Sequence, residues 1–266
     1  MPGSARGSSD LEMTFTVHSG FIRTIHMLYI CSFRPRLQQP LVRLPNFRSR
    51  NSFHGSFVMA AKTQEPVITK ISDLSIEDAK WVTLKKIDYV DQVGTPRTWE
   101  VATRKTRGKA GVDAVAMGNV LLHPSRPPST MIVIQYRPPL DAYTVEWPAG
   151  LIDAEESAEQ AAVREFKEET GYDCRVVSVS PPQAADPGLT NTNMQLVMVE
   201  VQLGEDDEMP EQRLDDGERI ERVVVPLDEF YDRLVEYSKQ DCMIVAAKLF
   251  HFAAGMNFAK TQTYFS

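Results

Sequence analysis

The sequence predicts an α/β domain, a mixed sheet lying between helices, with a small β-sheet element ahead of it. Three observations carry this. Apolar runs of strand length recur at 113–122, 130–136 and 194–202. A stretch with a helix start signal, an apolar stripe and a glycine stop occupies 157–171. Ahead of both, 81–90 and 98–105 read as two strands about the turn Val93-Gly94-Thr95-Pro96.

In chain order, the hairpin comes first; a two-stranded element cannot bury both faces alone, so it needs a covering surface. The apolar strands 113–122 and 130–136 follow, and 143–146 leads into the turn Pro148-Ala149-Gly150. That turn delivers the carbonyl of Ala149 beside the next helix, where it can act as a hard metal ligand. Strands at 176–181, 194–202 and 221–226 and helices at 227–238 and 241–256 complete the domain.

The helix between them carries the chemistry. Ser157 suits the N-cap, with Gln160 as its reciprocal partner, and Gly171 supplies a left-handed stop. Ala158, Ala162, Val163 and Phe166 form the stripe expected to bury against the sheet. Glu165 and Glu169 stand i,i+4 on one face, with Glu168 on the adjacent row. Uncompensated, such stacking costs roughly 0.2–0.5 kcal/mol per pair; a cluster of hard oxygens instead invites Mg2+, with Mn2+ as a substitute. Arg164 can pair with Glu156 or Glu168, fixing one carboxylate while others face a metal. A solvated acidic surface is the simpler reading of a Lys-Glu-Glu run, so the decision rests on the spacing of the whole block.

Gly150, Glu156, Arg164, Glu165, Phe166, Glu168, Glu169, Gly171 and Tyr172 fill the Nudix box without a departure. At ordinary residue frequencies a chance match is on the order of one in 10^8 per start position. From about Trp81 to Ala253 the chain resembles the ADP-sugar pyrophosphatases of the Nudix superfamily, the ADP-ribose-cleaving branch. The supporting segments are KWVTLKKIDYVD, TPRTWEVATRKTR, YRPPLDAYTVEWPAGLID, AADPGLTNTN and DDGERIE.

The resemblance implies a Nudix αβα sandwich with a mixed sheet. It divides the chain into a head, 1–58, that is disordered or targeting-like, an N-terminal strand region, 59–108, and a catalytic domain with C-terminal helices, 109–266. Metal ligands would be Glu165, Glu169 and the Ala149 carbonyl, with Glu168 in support and Arg164 ordering them. Glu218 matches the glutamate that orients or deprotonates the attacking water; Arg219 departs from the aromatic or apolar residue usual after it, which leaves Glu221 as a fallback. Trp81 and Trp99 match tryptophans that hold adenine, in a hairpin that reaches across a homodimer; packing is the other reading of each. Arg104 and Arg137 match contacts to diphosphate or terminal ribose, Glu100 and Asp113 match the binding region more weakly, and the loop at Asp186 lines the terminal-ribose pocket.

Composition narrows the field. No apolar run approaches the ~20 residues that span a bilayer. Cys31, Cys174 and Cys242 have no metal-ligand spacing, and the five histidines are scattered. Residues 1–59 hold seven Arg, no Lys and two acids, a net of +5, and the rest of the chain is net −12. An acidic body of that kind argues against nonspecific nucleic-acid binding. The Arg- and Ser-rich head resembles a mitochondrial transit segment, although Asp10, Glu12 and several prolines interrupt it; Met59 is an alternative start giving a cytoplasmic form.

The expected reaction is hydrolysis of ADP-ribose to AMP and ribose 5-phosphate. Other ADP-sugars or oxidised nucleoside diphosphates stay open as substrates, as does a silent ADP-ribose sensor, although a sensor would be expected to have lost a metal carboxylate.

Overall fold

A computed structural model describes residues 64–108 and 111–265. The head, with its targeting reading, lies outside the described residues.

Asp91 turns the chain back on itself. Its Oδ1 accepts the Val93 and Thr95 amides at 3.1 and 2.8 Å, and Gly94 takes the positive φ of 81° that closing the turn requires. The flanking strands β1 (Val82–Val90) and β2 (Pro96–Arg104) pair antiparallel in a two-stranded sheet of their own. One side of this hairpin is secured by the body: the Ala102 amide donates to Leu189 O at 2.9 Å, and Trp99 Nε1 donates to Gly188 O at 3.1 Å.

The main sheet is built from β3 (Ala114–Leu122), β4 (Ser129–Arg137), β5 (Ala142–Glu146), β6 (Ala149–Leu151), β7 (Arg175–Val179), β8 (Gln183–Ala184), β9 (Asn193–Gln202), β10 (Glu221–Pro226) and β11 (Met243–Val245). Its spine runs β11-β5-β4-β3-β9-β7, with β10 on β4, β6 on β3 and β8 on β9. It is mixed because β3–β9 and β5–β11 are parallel while the other pairs are antiparallel. β3 and β4 share a backbone register only at Leu121 and Ser129. Asn119 spans the gap where they part: buried, it accepts the Met131 amide at 2.7 Å and donates to Met131 O at 2.9 Å.

Alternation along the strands sends neighbours to opposite layers. On β4, Met131 joins Val115, Met117, Val197 and Phe166 beneath helix α1 (Ala158–Thr170). Ile132, next in the chain, joins Val145, Trp147, Phe230 and Leu249 beneath α2 (Phe230–Tyr237) and α3 (Ala247–Thr261). The result is the αβα sandwich that the sequence predicts.

Three expectations need correction. Val163 is exposed, and Ala161 takes its place in the buried stripe of α1 with Ala162 and Phe166. The helix expected at 241–256 starts instead as β11, because the apolar Met243, Ile244 and Val245 lie parallel to Tyr143–Val145 and extend the edge of β5; α3 then begins at Ala247 and continues to Thr261. α2 starts at Phe230 rather than 227, since Glu229 N turns back to Pro226 O at 3.1 Å.

Candidate active site

The site grows from the two ends of α1. At its start Ser157 Oγ accepts the Gln160 amide at 3.3 Å and Gln160 Oε1 accepts the Ser157 amide at 2.9 Å, the capping box expected of these residues. At its end Gly171, at φ 79°, donates its amide to Lys167 O. A helix held at both ends fixes the direction in which its glutamates project.

Glu169 is almost wholly buried and accepts the Ala149 amide on Oε2 at 3.1 Å. Glu165 is half-buried and lies over Gly150, which the sequence reads as part of a turn but which pairs with Val115 in β6. A Cβ on Gly150 would stand 1.9 Å from Glu165 Cδ, so only glycine admits this approach. Burial pushes the Glu169 carboxyl up to about 8, opposed by the Ala149 amide and reinforced by the charges of Glu165 and Glu218. Glu165 is raised too, by burial against the pull of Arg164, with Glu168 and Glu218 adding repulsion.

Arg164 divides its guanidinium among the acids. Nε and Nη2 lie 2.8 Å from the two oxygens of Glu156, while Nη1 lies 2.9 Å from Glu165 Oε1 and 3.2 Å from Glu168 Oε2. Nη2 also donates to Leu151 O at 3.1 Å, tying the helix to β6. Arg164 thus meets Glu156 and Glu168 together, where the sequence left the choice open.

The chemistry of this donor set fits a hard divalent cation: negatively charged oxygens crowd one another, and burial makes their charge costly. Among the described residues no three or more His, Cys, Asp or Glu side chains already converge on a single point.

Facing the acids, Arg137 at the end of β4 donates Nε to Glu146 Oε1 at 2.8 Å and Nη2 to Glu146 Oε2 at 3.0 Å. These bonds raise the Arg137 guanidinium above its ordinary value, and Glu169 and Glu218 add to the effect. Glu146 is pulled up by burial but held below the usual carboxylate range by Arg137 and Thr144.

The other predicted residues fall in two groups. Trp81, Trp99, Glu100 and Arg104 lie exposed on or beside the hairpin, and Asp186 lies exposed in the loop that receives the Trp99 indole. Asp113 is different: it is buried, Arg107 grips both of its oxygens at 2.9 and 2.6 Å, and the Asn193 amide donates to Oδ2 at 3.0 Å. It fastens the start of β3 to β9. Glu218 is half-buried in the loop between β9 and β10, its carboxylate accepting the Asp215 amide at 3.2 Å. Sequence reasoning missed Glu146, Arg107, Gln212 and Arg222. Strand register alone does not reveal Glu146, which stands opposite Val133 while Ala142 stands opposite Arg137; Arg107 lies only six residues from Asp113, and Gln212 and Arg222 bond distant main-chain carbonyls that carry no local signal.

Residues 113–243 match the NUDIX domain model. The chain is 37% identical over 198 residues to an uncharacterized Nudix hydrolase of Schizosaccharomyces pombe, covering 74% of this chain and 96% of that protein. It is 37% identical over 222 residues to an ADP-ribose pyrophosphatase of Saccharomyces cerevisiae, covering 82% and 96%. A Mus musculus ADP-sugar pyrophosphatase is 34% identical over 195 residues, covering 73% and 89%. The sandwich and its glutamate-bearing helix define a hydrolase, and the chain belongs to the Nudix family.

Proposed function

We propose that this protein hydrolyses the diphosphate of ADP-ribose to AMP and ribose 5-phosphate, using Mg2+ with Mn2+ as a substitute. The observation that carries the reading is a site of two signs. Glu165 and Glu218 lie close enough to Glu169 to raise its carboxyl, Glu218 also raises that of Glu165, and Arg137 lies close enough to Glu169 and Glu218 to interact with each. A bridging diphosphate satisfies both, as an anion toward Arg137 and as a partner of a cation toward the glutamates. The named relatives from yeast and mouse support the choice of an ADP-sugar, and of ADP-ribose among these.

Glu165, Glu169 and the Ala149 carbonyl would hold the cation, with Glu168 in support. When bound, it supplies charge neutralisation along the diphosphate. Arg164 keeps Glu165 and Glu168 in place. Glu218 orients a water and takes its proton as the water oxygen bonds to phosphorus; the bridging P–O bond breaks and its electrons leave with the departing phosphate. Arg137 and Arg104 contact the diphosphate or the terminal ribose, with Glu100 and the Asp186 loop beside the sugar. Asp113 supports this region through Arg107.

Trp81 and Trp99 sandwich the adenine in a homodimer, a reading supported by the exposure of Trp81 (65%), Leu84 (74%) and Val90 (66%) on or beside a hairpin with one free face. The acidic body gives no footing for nucleic acid, and among the described residues no helix is long and apolar enough to cross a membrane. We place the enzyme in the cytoplasm, with a mitochondrial form if residues 1–58 act as a transit segment.

Comparing kcat/KM for ADP-ribose, ADP-glucose, NADH and 8-oxo-dGDP, with products identified, tests the reading. ADP-ribose is expected to lead and to yield AMP. Preference for another of these compounds reassigns the substrate, and tight ADP-ribose binding without turnover in saturating Mg2+ makes the protein a sensor.

A further inference from the structure

The loop between β9 and β10 is acidic and largely exposed over 204–209, yet its second half is tied down at several points. The Gln212 side chain spans two pieces of backbone: its Nε2 donates to Glu169 O at 2.6 Å and to Ile220 O at 3.2 Å. The Arg213 amide donates to Glu168 O at 2.8 Å. Arg222, on β10, places Nη1 2.5 Å from Thr170 O and 2.6 Å from Pro210 O. Carbonyls at the C-terminal end of α1 need partners from outside the helix, and here the loop and the strand after it provide them.

Gln212 is the member of this set that touches the backbone on both sides of the chemistry. One bond ends on Glu169, whose carboxylate lies in the site. The other ends on Ile220, which is buried and stands two residues after Glu218. We propose that Gln212 is a positioning residue that sets the separation of Glu169 and Glu218, with Arg222 as the anchor that keeps the loop on the end of α1. This rests on the reading of Glu218 as the group that activates water. The physical reason is that a proton acceptor on an exposed loop samples many positions, whereas catalysis needs reacting atoms held within a few tenths of an ångström. Amide bonds to two carbonyls convert a mobile loop into a fixed offset from the helix.

Four single substitutions and one double variant test this, with ADP-ribose as substrate. Gln212→Met keeps length and approximate volume but removes both donors. It is expected to lower kcat about tenfold with KM changed less than twofold, and to speed hydrogen exchange at the Arg213 and Glu218 amides while the rest of the sheet stays protected. Glu218→Gln is expected to lower kcat about a hundredfold. In the double variant the Gln212 effect should vanish, because the acceptor it positions is gone. Arg222→Lys, which keeps a donor and the charge, should recover most of the activity that Arg222→Met loses. An unchanged kcat in Gln212→Met, or a tenfold loss that persists in full when Glu218 is already Gln, overturns the positioning role while leaving the Glu218 reading intact. An unchanged kcat in Glu218→Gln overturns that reading and the positioning role with it.

Discussion

Arg137 and Glu146 stand four positions out of register on β4 and β5, Arg137 opposite Ala142 and Glu146 opposite Val133, yet their side chains join by two hydrogen bonds, 2.8 and 3.0 Å long. The pairing fixes the guanidinium along one edge, and in the proposed reading its remaining N–H groups serve an anion. Replacing Arg137 by Leu should strand the mostly buried Glu146 carboxylate and cost about 1–3 kcal/mol of stability, reduced because the Arg137 end is partly exposed. Urea unfolding of Arg137→Leu, Glu146→Leu and the double variant checks this. The double variant should be more stable than Arg137→Leu alone, since no unpaired charge remains.

Glu169→Gln keeps the shape of the side chain while removing its charge, and kcat for ADP-ribose should fall by at least ~100-fold. The same change at Glu208, exposed in the loop, should be nearly neutral. Steady-state kinetics of both at one free Mg2+ concentration decides; normal turnover in Glu169→Gln removes that residue from the metal ligands.

Asp113 predicts a pH dependence of stability. Burial pulls its carboxyl upward, but Arg107 and the Asn193 amide outweigh burial and hold it below the ordinary range. A group with a lowered folded pKa stabilises the fold above its unfolded value, about 3.9, and loses that contribution as pH falls through the lower folded value. The stability gap between the native chain and Asp113→Asn should therefore be constant near neutrality and narrow only below about pH 4. Urea midpoints from pH 7 to pH 3 measure it, and a gap that closed between pH 6 and 5 would falsify the assignment.

The exposed hairpin predicts a dimer. Sedimentation at working enzyme concentration should give twice the chain mass, and Leu84→Glu on the hairpin should shift it toward monomer and raise KM for ADP-ribose. A fully active monomer would sink the shared adenine pocket.

Much of the site was legible because its signals are local. A capping box, a glycine stop and an i,i+4 pair of glutamates lie within one helix, and periodicity alone fixes which of them share a face. The hairpin was legible for the same reason, with a turn between two strand-length runs. What escaped depends on tertiary register. Met243, Ile244 and Val245 carry no mark that distinguishes a short parallel edge strand from the first turn of a helix until β5 is beside them. Asp113 matched a binding region by position, and its bonds to Arg107 and the Asn193 amide, which tie β3 to β9, became visible only in the folded chain. Gln212 was invisible because both of its acceptors are main-chain carbonyls, which every sequence possesses.

Gly171 ends α1 at a positive φ, and a Cβ there would stand 2.5 Å from the carbonyl oxygen of Glu211. Stopping a helix would need only the first property; the second means that the returning loop uses the space a side chain would fill. Insertions and deletions should therefore be tolerated very unevenly along the 18-residue connection from Leu203 to Ile220. Length can vary near Asp206, where the backbone lies in solvent, but an added residue between Pro210 and Ile220 shifts Glu218 along the chain relative to a helix end that has no room to follow. Homologous chains should record this as gaps confined to the first half of the loop.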